Sequence, residues 1–363
     1  IRNLLNMGDV FEKVNRPSSV LIFSGSFAKK QDISIADLSK FPKALKPLEI
    51  ENKLNYQGVY QYVLNEIPGN LFITAFAENY EILKKINKQK IILLADIVDE
   101  DGIQRGVSPD LKGAFIIDKL VAENHKLEES HLEKVLTGGK QVKKYNISES
   151  GLLLIYTKRN DSFNKLPYIC NFIDQFKKEI TCKEVATGKH PIYALHRPRK
   201  ERIFSKDKKL VGVITEDEIV IALDDNKLFA TDGLYVFGVK ESGNIYYLMA
   251  LLNSNLYKFI YRLFAIESGR SLAQVKPTVL NKLPIRIINQ SNIEEKSIES
   301  RIIELSKAMI ELNNQLSSAK MPTDKTAIQR QITATDNQVD QLVYKLYGLT
   351  KKEIKIIEES TNN

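Results

Sequence analysis

The side chains best placed to do chemistry in this sequence are cations, and they come in groups. The segment Thr137-Gly138-Gly139-Lys140-Gln141-Val142-Lys143-Lys144-Tyr145 sets two glycines ahead of three lysines and a tyrosine. Glycines let backbone amides approach an anion closely while Lys140, Lys143 and Lys144 neutralise it, the composition of a clamp on a phosphate backbone. The same residues also fit a glycine turn with solvated lysines. A second group, Arg197, Arg199, Lys200 and Arg202, follows Tyr193 within ten residues. A guanidinium's planar fork grips a phosphate, or reads the major-groove edge of guanine through two parallel hydrogen bonds. In a competing reading, at least one of these cations pairs internally with Asp118 or Asp174. Arg105 precedes a glycine, and Arg270 and Ser271 sit in a Ser-Gly-Arg-Ser loop, a tip suited either to groove contact or to simple connection.

Other chemistries lack their residue patterns. The phosphate-binding loop of nucleotide hydrolases needs a glycine five positions before the Gly139-Lys140 pair, and Lys134 stands there. His125, His131, His190 and His196 are spread out with no pair at metal-ligand spacing, so all four are expected to be non-catalytic and metal-free. Cys170 and Cys182 show no ligand spacing either, which fits a reducing compartment. Glu294-Glu295-Lys296 matches half of a nuclease carboxylate–lysine motif, but it opens a helix and has no acid on an upstream strand, so no metal site is expected.

The 363 residues are 43% hydrophobic, enough for two or three domains with a substantial core. Of the net charge of +8, His131 to Leu210 contribute 18 Lys/Arg against 8 Asp/Glu, or +10, leaving −2 for the remainder. A basic middle in a balanced chain suits a polyanion-binding face, where each neutralised phosphate releases counterions. It equally suits a lysine-rich soluble surface. No apolar run is long enough to cross a bilayer and no charged-then-apolar leader is present, which predicts a soluble cytoplasmic protein. The chain begins Ile-Arg-Asn without an initiator methionine, so it is expected to be a piece of a longer polypeptide.

These cations need a frame, and hydrophobic patterning supplies one. Ile298, Ile302, Leu305, Met309, Leu312 and Leu316 alternate four- and three-residue spacing, and so do Ile328, Ile332, Thr335, Val339, Leu342 and Leu346. Two matched seams joined by the connector Ser317 to Thr326 predict an antiparallel intramolecular hairpin. Pro322 breaks the first helix, Thr323 and Asp324 offer caps for the second, Gly348 ends it, and Thr350 caps a last short helix. Upstream, short strands are expected at 113–118, 151–157, 210–214, 218–223 and 233–239, and helices at 77–88, 167–178 and 245–264. The run Ser19 to Phe23 reads as a strand bounded by Pro17 and Gly25.

Taken in order, several of these segments resemble the TaqI-like C-terminal specificity domain, the target-recognition half of adenine-N6 DNA methyltransferases in single-chain restriction–modification enzymes. The resemblance begins with Ile103-Gln104-Arg105-Gly106-Val107 and Gly113-Ala114-Phe115-Ile116-Ile117-Asp118, and continues through Leu136 to Tyr145. It then takes in Leu154-Ile155-Tyr156-Thr157, Pro167-Tyr168-Ile169, Tyr193 to Arg199, and Leu251-Leu252-Asn253-Ser254, ending at Tyr344 to Thr350. No single segment is specific; their order is, and it covers roughly Asn87 to Glu358. Thr231-Asp232-Gly233-Leu234-Tyr235 resembles the family's turn and strand near the DNA face, with Asp232 expected to cap the turn. Asp9-Val10-Phe11 and Ser18 to Phe23 resemble the closing strands of the methyltransferase fold.

The resemblance implies an α+β fold. A mixed α/β target-recognition domain of many short strands is followed by a C-terminal antiparallel helical hairpin, with an N-terminal remnant of a methyltransferase α/β fold. The expected divisions are terminal methyltransferase strands at 1–30, a bridging region at 31–94, the target-recognition domain at 95–288, and the hairpin and tail at 289–363. The implied partners are double-stranded DNA and a catalytic methyltransferase domain of the same chain, with no membrane. On this reading the DNA-facing residues are Arg105, Lys140, Lys143, Lys144, Tyr145, Arg197, Arg199, Lys200, Arg202, Arg270 and Ser271. The parent enzyme would use S-adenosylmethionine, and a fused nuclease would need magnesium. The family's Asn-Pro-Pro-aromatic motif and glycine-rich cofactor loop do not occur in this sequence. The piece is therefore expected to hold no catalytic residue, cofactor or metal, to bind DNA weakly and to methylate nothing. Two other readings stand beside it: a stand-alone specificity subunit, which usually repeats the recognition-plus-helix unit seen here once, and a coiled-coil scaffold whose basic region is incidental.

Overall fold

The computed structural model of the chain describes residues 3–10, 17–22, 30–38, 58–63, 77–265 and 273–361. Strands β1 (Asn3–Asp9), β2 (Pro17–Ile22), β3 (Lys30–Asp37) and β4 (Gly58–Val63) form one sheet in the order β2-β1-β3-β4. β1 and β3 run parallel, and the other two pairs antiparallel. The strand expected near Ser19 is β2. The hydrogen-bonded sheet also carries the chain across the division anticipated at residue 30.

After helix α1 (Ala77–Asn87) the strands are short. They are β5 (Ile91–Leu93), β6 (Gln104–Arg105), β7 (Ile116–Ile117), β8 (Leu132–Leu136), β9 (Val142–Lys143), β10 (Asn146–Ile147) and β11 (Leu153–Ile155). Then follow β12 (Lys209–Val213), β13 (Ile221–Asp224), β14 (Phe229–Ala230), β15 (Leu234–Phe237) and β16 (Pro284–Arg286). Two four-stranded sheets result, in the orders β14-β8-β11-β7 and β13-β12-β15-β6. Side chains on a strand alternate between faces. Leu210, Ile221, Tyr235 and Phe237 therefore enter one hydrophobic core, while Val211, Val213, Ala222, Leu234 and Val236 enter a second. The second sheet is thus buried on both faces, which is why its strands read as continuous apolar runs.

The second core is closed by the β8–β11 sheet and helix α2 (Pro167–Asp174), which opens on its proline. The first is closed by α3 (Ile245–Asn253), α4 (Asn255–Ala265) and the C-terminal helices. One helix was expected where α3 and α4 stand. Buried Asn253 causes the break: its side chain accepts from the Ile221 N–H (3.0 Å) and donates to the Ile221 carbonyl (2.9 Å). Ser254 then takes an extended backbone, and its hydroxyl donates to the Leu251 carbonyl at 2.7 Å. The strand expected at 113–118 is also shorter. Lys112–Phe115 is a helical turn, and Asp118 accepts from the Val121 N–H (2.7 Å) to start another, leaving β7 between them.

Helices α5 (Ile293–Ser318) and α6 (Pro322–Leu346) are joined by three residues, which makes them antiparallel neighbours. Ile298, Ile302, Leu305, Met309, Val339 and Leu346 are buried at the base of the hairpin, where its seam merges with the first core. Leu312, Leu316, Ile328 and Ile332 are only half-buried towards its tip. Pro322 takes the first position of α6, with Thr323 and Asp324 inside its first turn instead of capping it. Gly348 adopts φ +63°, which a glycine tolerates without strain. Thr350 and Glu353 then exchange hydrogen bonds in a capping box (Thr350 N to Glu353 Oε2 2.6 Å; Glu353 N to Thr350 Oγ1 3.3 Å), opening α7 (Lys351–Thr361). Glu295 accepts from Arg286 (2.9 Å) and from the Asn289 N–H (2.9 Å), so the Glu294-Glu295-Lys296 stretch has a structural role. Among the described residues no helix is long and apolar enough to cross a membrane.

The hairpin is tied to the core by a buried acid. Asp340 accepts from the backbone N–H of Asn255 (2.8 Å) and from its side-chain amide (2.7 Å). Burial pushes its carboxyl up to about 7, with Asp336 and Glu358 adding to the rise and the Asn255 bond and Lys144 opposing it. The folded chain therefore holds this proton to higher pH than the unfolded chain. The stability contributed by Asp340 falls as pH rises from roughly 4 towards about 7. Asp340→Asn is expected to flatten that part of the stability profile, as read from denaturant midpoints across the window. Identical slopes for the two proteins would remove Asp340 as their source.

Candidate nucleic-acid interface

Four segments, remote in sequence, lie side by side at one rim of the strand-rich region. In β6, Arg105 is paired with Tyr235 of β15. Beyond it the Gly106 N–H donates to the Leu234 carbonyl (2.9 Å) and the Val107 N–H to the Ala230 carbonyl (2.7 Å). Ser108 and Arg197 then form an antiparallel bridge, and Arg199 Nε donates to the Gly106 carbonyl at 3.1 Å. On the other side the Thr231 N–H donates to the Leu136 carbonyl and its hydroxyl to the Thr137 carbonyl, both at 2.9 Å. This places Arg197 and Arg199, then Arg105, then the Asp232-Gly233 turn, then the Gly138-Gly139-Lys140 turn along one rim.

The electrostatics of this rim are unbalanced. Arg105, Arg197 and Lys140 are exposed and carry no ion pair among the described residues. Burial lowers the pKa of Arg199, and repulsion from Arg197 and Arg105 lowers it further, against a single opposing carboxylate, Asp232. That carboxylate accepts from Ser108 Oγ (3.0 Å) and so cross-links two of the segments, where a turn cap had been expected. Arg199 takes φ +63°, a strained backbone for a non-glycine residue that the surrounding bonds hold in place. Arg199 thus feels two neighbouring guanidiniums, Arg105 and Arg197, against one carboxylate, and the rim carries an excess of positive charge.

Gly106 is what permits the close approach. A Cβ there would lie 2.2 Å from the carbonyl oxygens of both Ala230 and Thr231. Gly106→Ala is expected to cost about 1–3 kcal/mol through forced backbone displacement, measured as a shift in the unfolding midpoint. An unchanged midpoint would mean the segments separate freely.

The other candidates divide. Tyr145 is only 2% exposed and belongs to the first core, so it is not an interface residue. Its φ of +63° turns the chain so that the ring points inward while its N–H donates to the Ile221 carbonyl (3.1 Å). Lys144 faces the hairpin, 3.9 Å from Glu218, and its charge opposes the raised carboxyls of Asp336 and Asp340. Lys143 remains exposed on the β9–β10 hairpin. Lys200 and Arg202 are drawn to the buried carboxylate of Asp101 (3.7 and 2.5 Å), and Arg202 also to Glu100 (3.3 Å). Their internal partners are thus neither Asp118 nor Asp174; the latter accepts from Tyr193 Oη at 3.0 Å. Arg270 and Ser271 lie outside the described residues. Sequence spacing leaves the histidines isolated, but the fold brings His196 beside Cys182 and Glu184.

Comparison with known proteins bears on the same region. The stretch that includes Lys140, Arg197, Arg199 and Asp232 matches a family model. Residues 133–285 match the model of the TaqI-like C-terminal specificity domain. Arg105 stands upstream of the matched segment, although β6 completes the β13-β12-β15-β6 sheet whose other strands lie within that segment. Over 350 residues the chain is 23% identical to a putative type II restriction enzyme and methyltransferase, RM.MjaORFECS2P of Methanocaldococcus jannaschii. That alignment covers 93% of this chain but 24% of the relative, so the chain spans about a quarter of its length. Among solved structures, the type IIL restriction–modification enzyme MmeI in complex with DNA matches with a TM-score of 0.49 at 12% identity, covering 99% of this chain and 45% of that one. The type IIG restriction endonuclease BpuSI matches with a TM-score of 0.40 at 12% identity, covering 95% and 44%.

Proposed function

We propose that this chain is the DNA-recognition module of a restriction–modification enzyme, and that its specificity domain binds double-stranded DNA through the Arg105–Arg197–Arg199 rim. The observation that carries the reading is the repulsion among Arg105, Arg197 and Arg199, opposed at Arg199 by Asp232 alone, which an approaching phosphate or guanine edge relieves. Lys140 and Lys143 extend the positive surface along the backbone of the duplex. The buried Tyr145 and the internally paired Lys144, Lys200 and Arg202 position this surface without touching DNA.

For the parent enzyme we propose adenine-N6 methylation with S-adenosylmethionine as methyl donor, in the cytoplasm. A magnesium-dependent nuclease would be fused to it in the manner of restriction–modification enzymes. Support for the adenine-N6 reading comes from the ordered resemblance across Asn87 to Glu358, and the relative's name supports the pairing of restriction enzyme with methyltransferase. The catalytic motif and cofactor loop do not occur in these residues, so the chemistry belongs to a methyltransferase domain of the same polypeptide and this piece alone is inactive. The test is an anisotropy titration of the chain against labelled duplex of random sequence over a range of salt. The expected result is binding whose log Kd rises linearly with log salt. Absence of binding at every salt concentration would favour the scaffold reading.

A further inference from the structure

Folding collects metal-binding donors that spacing in the sequence conceals. The thiol sulfur of Cys182, a carboxylate oxygen of Glu184 and a ring nitrogen of His196 all lie within 4.8 Å of one another. Glu184 Oε2 stands 3.5 Å from His196 Nε2. Cys182 and His196 are half-buried and Glu184 is exposed. A third segment supports them: the Asp110 carboxylate accepts from the Cys182 N–H at 2.9 Å. The ring of His190 packs edge-on against His196 with centroids 5.9 Å apart, and its Nε2 lies 3.1 Å from the Ala194 carbonyl, which fixes the plane of the pair.

As a purely organic cluster this arrangement is poorly matched. The Cys182 thiol stands among carboxylates, with Asp110 held on its backbone N–H and Glu184 beside it. A divalent cation reverses that balance, because it takes the thiolate and is neutralised by the acids around it. One thiolate, one imidazole and one carboxylate is a borderline-soft donor set that suits zinc, with a fourth position left for water. Oxygen-seeking magnesium and calcium are not matched by it. Donors in a tetrahedral zinc site stand roughly 3.3–3.8 Å apart, so the half-exposed turn bearing Cys182 and Glu184 need close only slightly.

We propose that Cys182, Glu184 and His196 bind one zinc ion, which pins the turn Lys183–Ala186 to the segment that carries Arg197. The site flanks the arginine rim, but metal binding does not depend on the DNA-recognition reading and is measured without DNA. The metal-stripped chain is titrated with cobalt(II) as a spectroscopic stand-in for zinc. Expected are uptake of one equivalent, the intense visible bands of a tetrahedral ion, a thiolate-to-cobalt charge-transfer band, and displacement by zinc. Cys182→Ser removes the charge-transfer band, and His196→Ala weakens uptake by at least about tenfold. Cys170→Ser leaves both unchanged. Circular dichroism establishes that the variants are folded, and having two ligand variants keeps the test decisive should one fail to fold. A chain that shows no thiolate band with saturating cobalt, or a band that survives Cys182→Ser, overturns the proposal.

Discussion

Replacing Arg105 and Arg197 together by alanine is expected to weaken DNA binding by about 2 kcal/mol or more, roughly 30-fold in Kd. Both guanidiniums are exposed and without ion pairs among the described residues, so their removal costs the fold little. The rim is where their loss is felt. If they hold phosphates, affinity drops uniformly across sequences and the salt slope falls by about 2, one for each contact removed. If either reads a base, the loss concentrates on duplexes carrying the recognised sequence and the slope changes less. Arg199 is the wrong residue for this experiment, because its Nε also holds the Gly106 carbonyl and its loss mixes binding with structure. Lys144→Ala is the informative contrast: that ammonium faces Glu218 and the hairpin acids, so it is expected to change affinity by less than a factor of about 2. Wild-type affinity in the arginine double variant would dismiss the rim as the DNA face.

What the sequence disclosed about this fold depended on the range of the interactions. The hairpin was legible because its seams are local: the 4-3 spacing of Ile298 to Leu316 and of Ile328 to Leu346 names both helices and their facing sides. The break between α3 and α4 was not, since nothing in Leu251 to Asn255 shows that Asn253 meets Ile221 or that Asp340 draws the Asn255 amide. The two-core arrangement was half legible. Runs such as Leu210 to Val213 announce a buried strand without revealing that alternate residues enter different cores.

The candidate interface followed the same logic. Arg197 and Arg199 stood out as a local cluster, but the contribution of Arg105 depends on bridges to Thr231 and Arg197 that only the folded chain forms. Tyr145 misled because an aromatic residue ending a lysine loop has the composition of a recognition element. One left-handed backbone angle turns it into the core. Lys200 and Arg202 misled for the opposite reason, since their partner Asp101 is remote and the nearer-seeming acids Asp118 and Asp174 are otherwise engaged. Sequence spacing likewise hid the Cys182, Glu184 and His196 grouping, which bridges two sides of a loop.

The largest stability effect is expected at Lys209 and Asp224, a pair of charges that never reaches the surface. They face each other across β12 and β13, and both side chains are fully buried as an ion pair. Lys209 Nζ also donates to the Phe204 carbonyl (2.7 Å), while Asp224 accepts from the N–H groups of Asn226 (2.8 Å) and Leu228 (2.9 Å). Burial lowers the Lys209 pKa and Asp224 raises it, so each ion depends on the other. Removing one partner leaves an uncompensated buried charge, at a cost of about 3–5 kcal/mol. The two halves are not equivalent. Lys209→Met leaves a carboxylate that two amides still solvate, whereas Asp224→Leu strands the ammonium and both amides, adding about 1–3 kcal/mol for each lost acceptor. Asp224→Leu is therefore expected to be the worse variant. The double variant Lys209→Met/Asp224→Asn should recover part of the loss, because it buries no charge and keeps one acceptor. Denaturant midpoints of the four proteins test this ordering, and near-neutral single variants would show that the site tolerates an unpaired charge. Asp224 also closes the turn that leads into β14, whose Ala230 receives the Val107 N–H. Loosening that turn should carry through to the arginine rim, so variants at this remote pair are expected to lose DNA affinity along with stability.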